Sequence, residues 1–176
     1  MRILFLGDIV GPSGCNVVKK FLPNIIKEKD LDFVVANGEN AADNGVGITE
    51  KISNELFQCG INVLTTGNHV WDQKETVEYI EKEKKLLRPY NLTNPAPGKG
   101  FEVFLFKNNF KVGVLNLMGN VFMKKTNDVF IEAKKFIERF KLRAEADFII
   151  VDMHGEIISM LLYSILKDFQ HLLSTH

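Results

Sequence analysis

The sequence predicts an α/β layered fold, because runs typical of buried strands alternate with segments typical of amphipathic helices. Four apolar runs lack helical periodicity and end in polar residues, which indicates strands that are covered on both faces. The segments between them carry apolar residues at spacings of three and four, which predict helices with one buried face. Two alternating apolar runs around an Asn-Asn pair predict a β-hairpin in addition.

The first half of the chain predicts three strands and three helices. The strands are the apolar parts of MRILFLGD, DFVVANGEN and INVLTTGNH. A helix is predicted over about 16–29, where Pro23 indicates a kink or a late start. A second helix covers 49–58 and stops at Gly60, and Asp72 is placed to cap a charged third helix that runs to about residue 85.

The second half predicts a loop, a hairpin, a helix and one more strand. RPYNLTNPAPGKG contains three of the five prolines and predicts an irregular loop. FEVFLFKNNFKVGVLNL predicts the hairpin, with its turn near Asn108 and Asn109. A helix over about 129–143 precedes ADFIIVDMHGE, which predicts the final strand. The whole chain, 1–176, is therefore predicted to form a single domain.

Composition and charge exclude several classes of protein. Lys plus Arg and Asp plus Glu number 22 each, so the formal net charge is zero and stable nucleic-acid binding is not expected. The two cysteines, Cys15 and Cys59, form no CxxC pair, and the sequence shows neither a disulfide framework nor a secretory leader. Its apolar runs are far shorter than a membrane span. We therefore expect a cytoplasmic protein without a membrane-spanning segment.

The polar residues that follow the strands predict a ligand site. In open α/β sheets, ligands bind beyond the carboxyl ends of the strands, and four predicted strands end in GD, NGEN, GNH and DMHGE. The polar side chains collected there are Asp8, Glu39, Asn40, Asn68, His69, Asp152, His154 and Glu156. Carboxylates, imidazoles and amide oxygens together suit Mn, Fe or Zn. Glu39 is the candidate for bridging two ions about 3.5–4 Å apart, as in phosphatases and nucleases.

Each of these residues also has a purely structural interpretation. Asp8 is suited to capping the turn that follows it, Asn68 and His69 to forming a turn, and His154 to a satisfied place in the core. The glycine-rich GDIVGPSG offers a rival, a Rossmann-like phosphate cradle, although it matches neither GxGxxG nor GxxxxGK[ST]. The repetition of one design at four strand ends favours a shared site over separate structural roles.

The strand-end motifs resemble those of a known family, the YmdB-type metallophosphoesterases. The matching motifs are GDIVG, NGENAADNGVGIT, TTGNHVWD, RPYN with the later PGKG, and D-x-HGE, and they run from Met1 to about Glu156. The family belongs to the calcineurin-like superfamily, and its members are 2′,3′-cyclic-nucleotide 2′-phosphodiesterases. The resemblance therefore implies a calcineurin-like layered fold, a small cyclic nucleotide as substrate, and its hydrolysis to a 3′-nucleotide.

The resemblance also implies which residues hold metal. Asp8 and Asn40 would bind a first ion, and Glu39 would bridge it to a second. Asn68 and His154 would bind that second ion. The two divalent ions of the family are typically iron or manganese, and two such ions polarise a phosphoryl group.

His69 would then be the general acid. Its place directly after a metal ligand lets one side chain of the turn bind the ion while the next protonates the leaving ribose oxygen.

The final segment departs from the family pattern. Members of the family are longer and continue past GTHTH, which supplies two more metal histidines, whereas this sequence ends in HLLSTH. His176 corresponds to the first of that pair, as a ligand of the second ion, and Asn120 stands where many relatives have arginine. Residues 157–176 diverge and are apolar, so we expect a fold that is incomplete at its C-terminus and compatible with a homo-oligomer. The second hypothesis for function is therefore a truncated, catalytically impaired remnant that binds metal or a partner.

Overall fold

The computed structural model describes residues 1–93, 95–106, 109–121, 123, 125–155 and 172–175, the last four by their backbone alone. The helices are α1 (Gly11–Lys29), α2 (Glu50–Gln58), α3 (Thr76–Lys82) and α4 (Val129–Arg139). The strands are β1 (Ile3–Leu6), β2 (Phe33–Asn37), β3 (Val63–Thr65), β4 (Leu86–Leu87), β5 (Phe101–Leu105), β6 (Lys111–Met118), β7 (Phe148–His154) and β8 (Leu172–Thr175).

The described strands form two four-stranded sheets. The first sheet has the order β1-β2-β3-β4 and is parallel throughout, with α1, α2 and α3 as its connections. The second sheet has the order β5-β6-β7-β8, in which β5 and β6 are antiparallel and the other pairs are parallel. Parallel strands of one sheet end at the same edge, so the carboxyl ends of β1 to β4 lie on one side of the first sheet, and those of β6, β7 and β8 on one side of the second.

Three apolar layers hold these elements together in the order helices, sheet, sheet, helix. Alternate residues of β2 show the arrangement, since Val34 packs towards α1 and α2 while Phe33 and Val35 pack towards the second sheet. The other face of the second sheet packs on α4 through Phe136 and Ala133. The predicted α/β layered fold is confirmed.

The first helix begins earlier than the sequence predicts. It starts at Gly11 and continues through Pro23 to Lys29, so the expected late start is wrong. Pro12 lies in the first turn, where the missing backbone N–H has no intrahelical partner to lose. The glycines and proline that look like helix breakers are therefore compatible with a helix at its N-terminus.

The third helix is shorter than predicted, and its predicted cap is wrong. Helix α3 spans only Thr76–Lys82 and has no side-chain cap at its N-terminus. Asp72 instead contacts the ring of His69. By contrast, the predicted start of α2 is confirmed, because the Thr49 hydroxyl accepts a hydrogen bond from the backbone N–H of Ile52 at 3.2 Å.

The last predicted helix also ends early, and two strands were not predicted. Helix α4 ends at Arg139 rather than near residue 143, and the carboxylate of Asp128 caps its start. Strand β4 has only two residues, too few for a periodic signal. Strand β8 adds to the edge of β7 in parallel, with Thr175 opposite His154. The apolar segment predicted as a helix or a patch, 157–166, lies outside the described residues.

No described helix has both the length and the apolar character that crossing a membrane requires.

Candidate metal centre at the strand ends

Five of the predicted residues form one connected group, which we call the strand-end cluster: Asp8, Glu39, Asn40, Asn68 and His154. The amide nitrogen of Asn40 lies 3.2 Å from Asp8 Oδ2 and 3.2 Å from Glu39 Oε1. His154 Nε2 lies 3.1 Å from the same Glu39 oxygen and 3.2 Å from Asn68 Oδ1. The cluster thus joins the ends of β1, β2 and β3 to the end of β7 in the other sheet.

Backbone hydrogen bonds fix the loops that carry these side chains. Ile9 N–H donates to the carbonyl of Asn37 at 2.9 Å, and Gly11 N–H donates to that of Asn40 at 2.8 Å. Gly38 N–H donates to the carbonyl of Thr65 at 2.9 Å. The bonds continue the ladder of the first sheet beyond its last regular residues, so the cluster rests on a rigid edge.

Gly67 is required by the close approach of two cluster residues. A Cβ atom at this position would overlap Glu39 Oε2 and the imidazole ring of His154. The carboxylate and the ring therefore occupy the space that any other side chain would fill. This is a physical reason for the glycine in the GNH motif.

Three cluster atoms are buried without a hydrogen-bond partner among the described residues: Asp8 Oδ1, Glu39 Oε2 and His154 Nδ1. Buried polar atoms are normally paired, since an unpaired one costs about 1–3 kcal/mol. Carboxylate oxygens and imidazole nitrogens are atoms that a divalent cation binds, so residues with such unpaired atoms are candidates for a cation site.

The pKa values of the cluster indicate a surplus of buried negative charge. Burial raises the pKa of Asp8, and the charges of Glu39 and Asp152 raise it further. Burial alone would lower the pKa of His154, but its hydrogen bond with Glu39 and the surrounding carboxylates outweigh this effect and raise the pKa. Burial is thus the main cause at Asp8, whereas carboxylates outweigh burial at His154, and a bound cation would balance the negative charge that contributes to both shifts.

The donor set fits a metal only when its amides are included. Within the described part of the chain, His, Cys, Asp and Glu side chains alone do not form a group of three that could hold an ion. The Asn68 oxygen already faces His154, whereas Asn40 turns its nitrogen towards both carboxylates. The amide of Asn40 must therefore rotate by half a turn before its oxygen can bind an ion there.

The predicted general acid lies beside the cluster rather than in it. His69 follows Asn68 in the chain, and its Nδ1 lies 2.5 Å from Asp72 Oδ2. About a third of its side chain is exposed to solvent. Because Asp72 engages Nδ1, the other ring nitrogen, Nε2, is the one that is free to face a ligand.

Two structural interpretations of the cluster residues are wrong. Asp8 does not cap the turn that follows it, because its Oδ2 accepts a hydrogen bond from Asn40 Nδ2 and its Oδ1 has no partner among the described residues. His154 is buried, yet its Nδ1 has no partner among the described residues, so it is not a satisfied core histidine.

The remaining members of the predicted set fall elsewhere. Asp152 lies one step below the cluster, where it accepts a hydrogen bond from Asn37 Nδ2 at 3.0 Å. Asn37 itself is absent from the predicted set, although the NGEN motif begins with it. Glu156 and His176 lie outside the described residues.

Two cavities among the described residues differ in whether a residue of the strand-end cluster lines them. A cavity of about 560 Å³ between α1 and α2 is lined by residues such as Lys19, Asn44 and Glu55, and by none of the cluster. A second cavity, of about 480 Å³, contains Asp8 beside Ser13 and Gly14. We therefore locate the candidate site at the unpaired atoms of the strand-end cluster rather than in the larger cavity, whose lining includes none of these atoms.

The comparisons with known proteins decide the family. The family model described as YmdB-like protein matches residues 4–161. The chain belongs to the YmdB-like family. The resemblance predicted from the motifs is confirmed, and the Rossmann-like alternative is wrong, because the helices cover the outer faces of two packed sheets rather than both faces of one.

The relatives and solved structures that resemble this chain are longer than the chain itself. It is 39% identical over 159 residues to the 2′,3′-cyclic-nucleotide 2′-phosphodiesterase of Bacillus subtilis, and the match covers 90% of this chain and 59% of that protein. Among solved structures, a hypothetical protein from Thermus thermophilus has a TM-score of 0.89 and 32% identity, over 100% of this chain and 68% of that one. A phosphatase from Mycoplasma pneumoniae has a TM-score of 0.89 and 31% identity, over 100% of this chain and 64% of that one.

Proposed function

We propose that this chain is a metal-dependent phosphodiesterase that hydrolyses 2′,3′-cyclic nucleotides to 3′-nucleotides. The observation that carries the proposal is the strand-end cluster, with three buried donor atoms that lack a partner among the described residues. The name of the Bacillus subtilis relative supports the reaction and the substrate.

The cluster residues are the proposed ligands of two divalent ions, iron or manganese. Asp8 and Asn40 would hold the first, Asn68 and His154 the second, and Glu39 both. When bound, the ions would withdraw charge from the phosphoryl group and orient it. The protein contributes the fixed spacing of its donors and a buried negative charge that attracts the cations.

His69 is the proposed general acid. Hydrolysis to a 3′-nucleotide breaks the bond between phosphorus and the ribose 2′-oxygen, and that oxygen takes up a proton as it leaves. His69 can supply the proton from Nε2, because Asp72 holds Nδ1 at 2.5 Å and orients the ring. Asp72 is therefore a positioning residue in this scheme.

The test compares the wild type and His69→Ala on 2′,3′-cAMP with Mn²⁺ present, with separation of 2′-AMP from 3′-AMP. We expect 3′-AMP from the wild type and a loss of about 10²–10⁴-fold in kcat for His69→Ala. The exposed Glu28 of α1 offers a control, and Glu28→Gln should leave the rate unchanged.

Two outcomes would contradict the proposal. Equal rates for the wild type and His69→Ala would exclude the acid role. If Mn²⁺ binds but no variant produces 3′-AMP, the second hypothesis from the sequence, a catalytically impaired chain that binds metal, explains the result.

A further inference from the structure

Two polar contacts of similar length cross between the sheets just where the strands end. The outer contact joins Glu39 Oε1 to His154 Nε2 at 3.1 Å and belongs to the strand-end cluster. The inner contact joins Asn37 Nδ2 to Asp152 Oδ2 at 3.0 Å. In β7, Asp152 and His154 are alternate residues, which lie on the same face of a strand. In the first sheet, Asn37 is the last residue of β2 and Glu39 lies in the turn that follows. The two contacts are therefore neighbours between the sheets, and we call them the inner rung and the outer rung.

Asn37 ties the inner rung directly to the outer one. Its side chain is fully buried, and its Oδ1 accepts a hydrogen bond from the backbone N–H of Glu39 at 3.0 Å. Its Nδ2 also lies 3.5 Å from the carbonyl of Thr66, which leads into the Gly67 turn. One amide thus orients the backbone of a proposed bridging ligand and, at the same time, contacts the opposite sheet.

Asp152, the acceptor of the inner contact, lies next to the strand-end cluster in the second sheet. It is completely buried in β7, two residues before His154, and its charge raises the pKa values of both His154 and Asp8. Because alternate residues of a strand share a face, the position of Asp152 is tied to that of His154.

The sheets do not depend on this pair alone. Asn116 of β6 donates from Nδ2 to the carbonyls of Thr66 at 2.8 Å and Leu87 at 3.2 Å, which also crosses between the sheets. The apolar layer below includes Phe33, Val114 and Ile150. Changing the inner rung should therefore move the outer rung without separating the sheets.

We propose that Asn37 and Asp152 are a positioning pair that sets the separation of Glu39 and His154, and through it the affinity of the strand-end cluster for divalent cations. The inference rests on the proposed function for the identity of the ligand. The contact between Glu39 and His154 can, however, be measured in the metal-free protein.

The test exchanges the two side chains. Asn37→Asp places one carboxylate against another, whereas Asn37→Asp combined with Asp152→Asn restores a donor and an acceptor in the reverse direction. In the full chain, Asn37→Asp should weaken Mn²⁺ binding by about 10–100-fold, as measured by EPR of free Mn²⁺. The exchanged pair should recover to within about threefold of the wild type, since the two changes are directly coupled.

A crystal structure of each metal-free variant gives the second measurement. The contact between Glu39 and His154 should be lost in Asn37→Asp and present again in the exchanged pair. If Asn37→Asp does not fold, Asp152→Asn, which keeps an acceptor for Asn37, should bind Mn²⁺ at least about tenfold more tightly than Asp152→Ala.

Asn62→Ala is the matched control. The Asn62 side chain likewise accepts a backbone hydrogen bond next to β2, from Val34 N–H at 2.7 Å, but at the opposite end of that strand. It should lower the free energy of unfolding and leave Mn²⁺ affinity unchanged. A merely structural role for Asn37 would make both variants behave alike.

Several results would overturn the positioning pair. They are an unchanged contact in Asn37→Asp, an exchanged pair that binds as weakly as the single variant, and a control that loses affinity equally. If the wild type binds Mn²⁺ and the exchange rescues both contact and affinity, but 2′,3′-cAMP is not hydrolysed, the proposed function fails while the positioning pair stands.

Discussion

Two buried polar groups of this molecule, both within family motifs, differ in how completely their hydrogen bonds are satisfied. One is the strand-end cluster, with unpaired atoms on Asp8, Glu39 and His154 among the described residues. The other, which we call the loop anchor, consists of Arg88 and Asn91 from the RPYN motif. Both groups follow strands of the first sheet, so their places in the fold are similar.

The loop anchor uses its donors almost completely. Asn91 Nδ2 donates to the carbonyls of Met118 at 2.7 Å and Asn127 at 3.0 Å, while its Oδ1 accepts from Met118 N–H at 2.9 Å. The guanidinium of Arg88 donates to the carbonyls of Pro97 at 3.0 Å and Pro89 at 2.8 Å. These bonds close the irregular loop and fasten it to the end of β6.

The difference teaches how to separate structural from functional motifs within one family. A motif whose buried polar atoms are all hydrogen-bonded within the chain is explained by the fold alone. A motif with orphaned buried atoms retains a free-energy cost that a ligand can remove. RPYN thus has the hydrogen-bond pattern of a structural motif, and NGEN together with GNH has the pattern of the binding motif that we propose.

Asp8→Asn is the substitution with the largest expected effect, and it tests the strand-end cluster. We expect Mn²⁺ affinity to fall by more than about 100-fold, since Asp8 is itself a proposed ligand and not a residue that supports one. The metal-free protein should be as stable as the wild type or slightly more stable at neutral pH, because burial and Glu39 raise the pKa of Asp8 and its charge is unfavourable there. EPR and urea unfolding measure the two effects, and a large loss of stability would contradict the comparison.

Asn91→Ala should show the opposite pattern. Removing this side chain leaves Met118 N–H and the carbonyls of Met118 and Asn127 without their partner, which costs about 2–4 kcal/mol in the free energy of unfolding. Mn²⁺ affinity of the folded protein should stay within about threefold of the wild type. A loss of affinity as large as that of Asp8→Asn would mean that the loop anchor belongs to the site.

Gly100 tests the packing of the loop anchor. A Cβ atom there would overlap the backbone of Tyr90, whose N–H donates to the carbonyl of Asn116 at 2.7 Å. Gly100→Ala should cost about 1–3 kcal/mol through this overlap. Gly45→Ala is the control, because it meets open space and has only the strain of φ +79° to bear, about 1 kcal/mol. Equal thermal shifts for the two variants would exclude the overlap as the cause.

The smallest effect is expected for a partly exposed ion pair, which lies outside both the strand-end cluster and the loop anchor. Lys19 Nζ lies 2.8 Å from Glu55 Oε2, and this bond lowers the pKa of Glu55. A lowered carboxyl pKa stabilises the fold above the ordinary pKa and loses that effect as the pH falls through the folded value. Glu55→Gln should therefore lower the urea midpoint slightly at pH 7 and not at pH 3. A difference that persists at pH 3 would assign the effect to packing.

The layers of the fold were predictable because periodicity reports burial directly, as in β2 and α2. Strand β4 could not be predicted, because two residues are too few to show a periodic pattern. The start of α1 could not be predicted either, because a proline such as Pro12 breaks a helix in its interior but not in its first turn.

Within the candidate site, the sequence predicted which side chains reach the strand ends but not their contacts. Asp72 precedes a charged segment and resembles a helix cap, and only the folded turn brings it to His69. Asn37 and Asp152 are 115 positions apart in the chain, so no local pattern could pair them. The positions of Glu156 and His176 remain predictions.

The division of the cluster between two sheets also bears on the order in which the protein assembles. Asp8, Glu39, Asn40 and Asn68 all belong to the first sheet, whose strands are joined by neighbouring helices and close only short loops during synthesis. His154 belongs to β7 of the second sheet, and its arrival requires the two sheets to have docked. A cation that needs both contributions would bind the docked state in preference to any earlier one. Uptake of the proposed metal by the nascent chain should therefore mark the moment at which the two sheets come together.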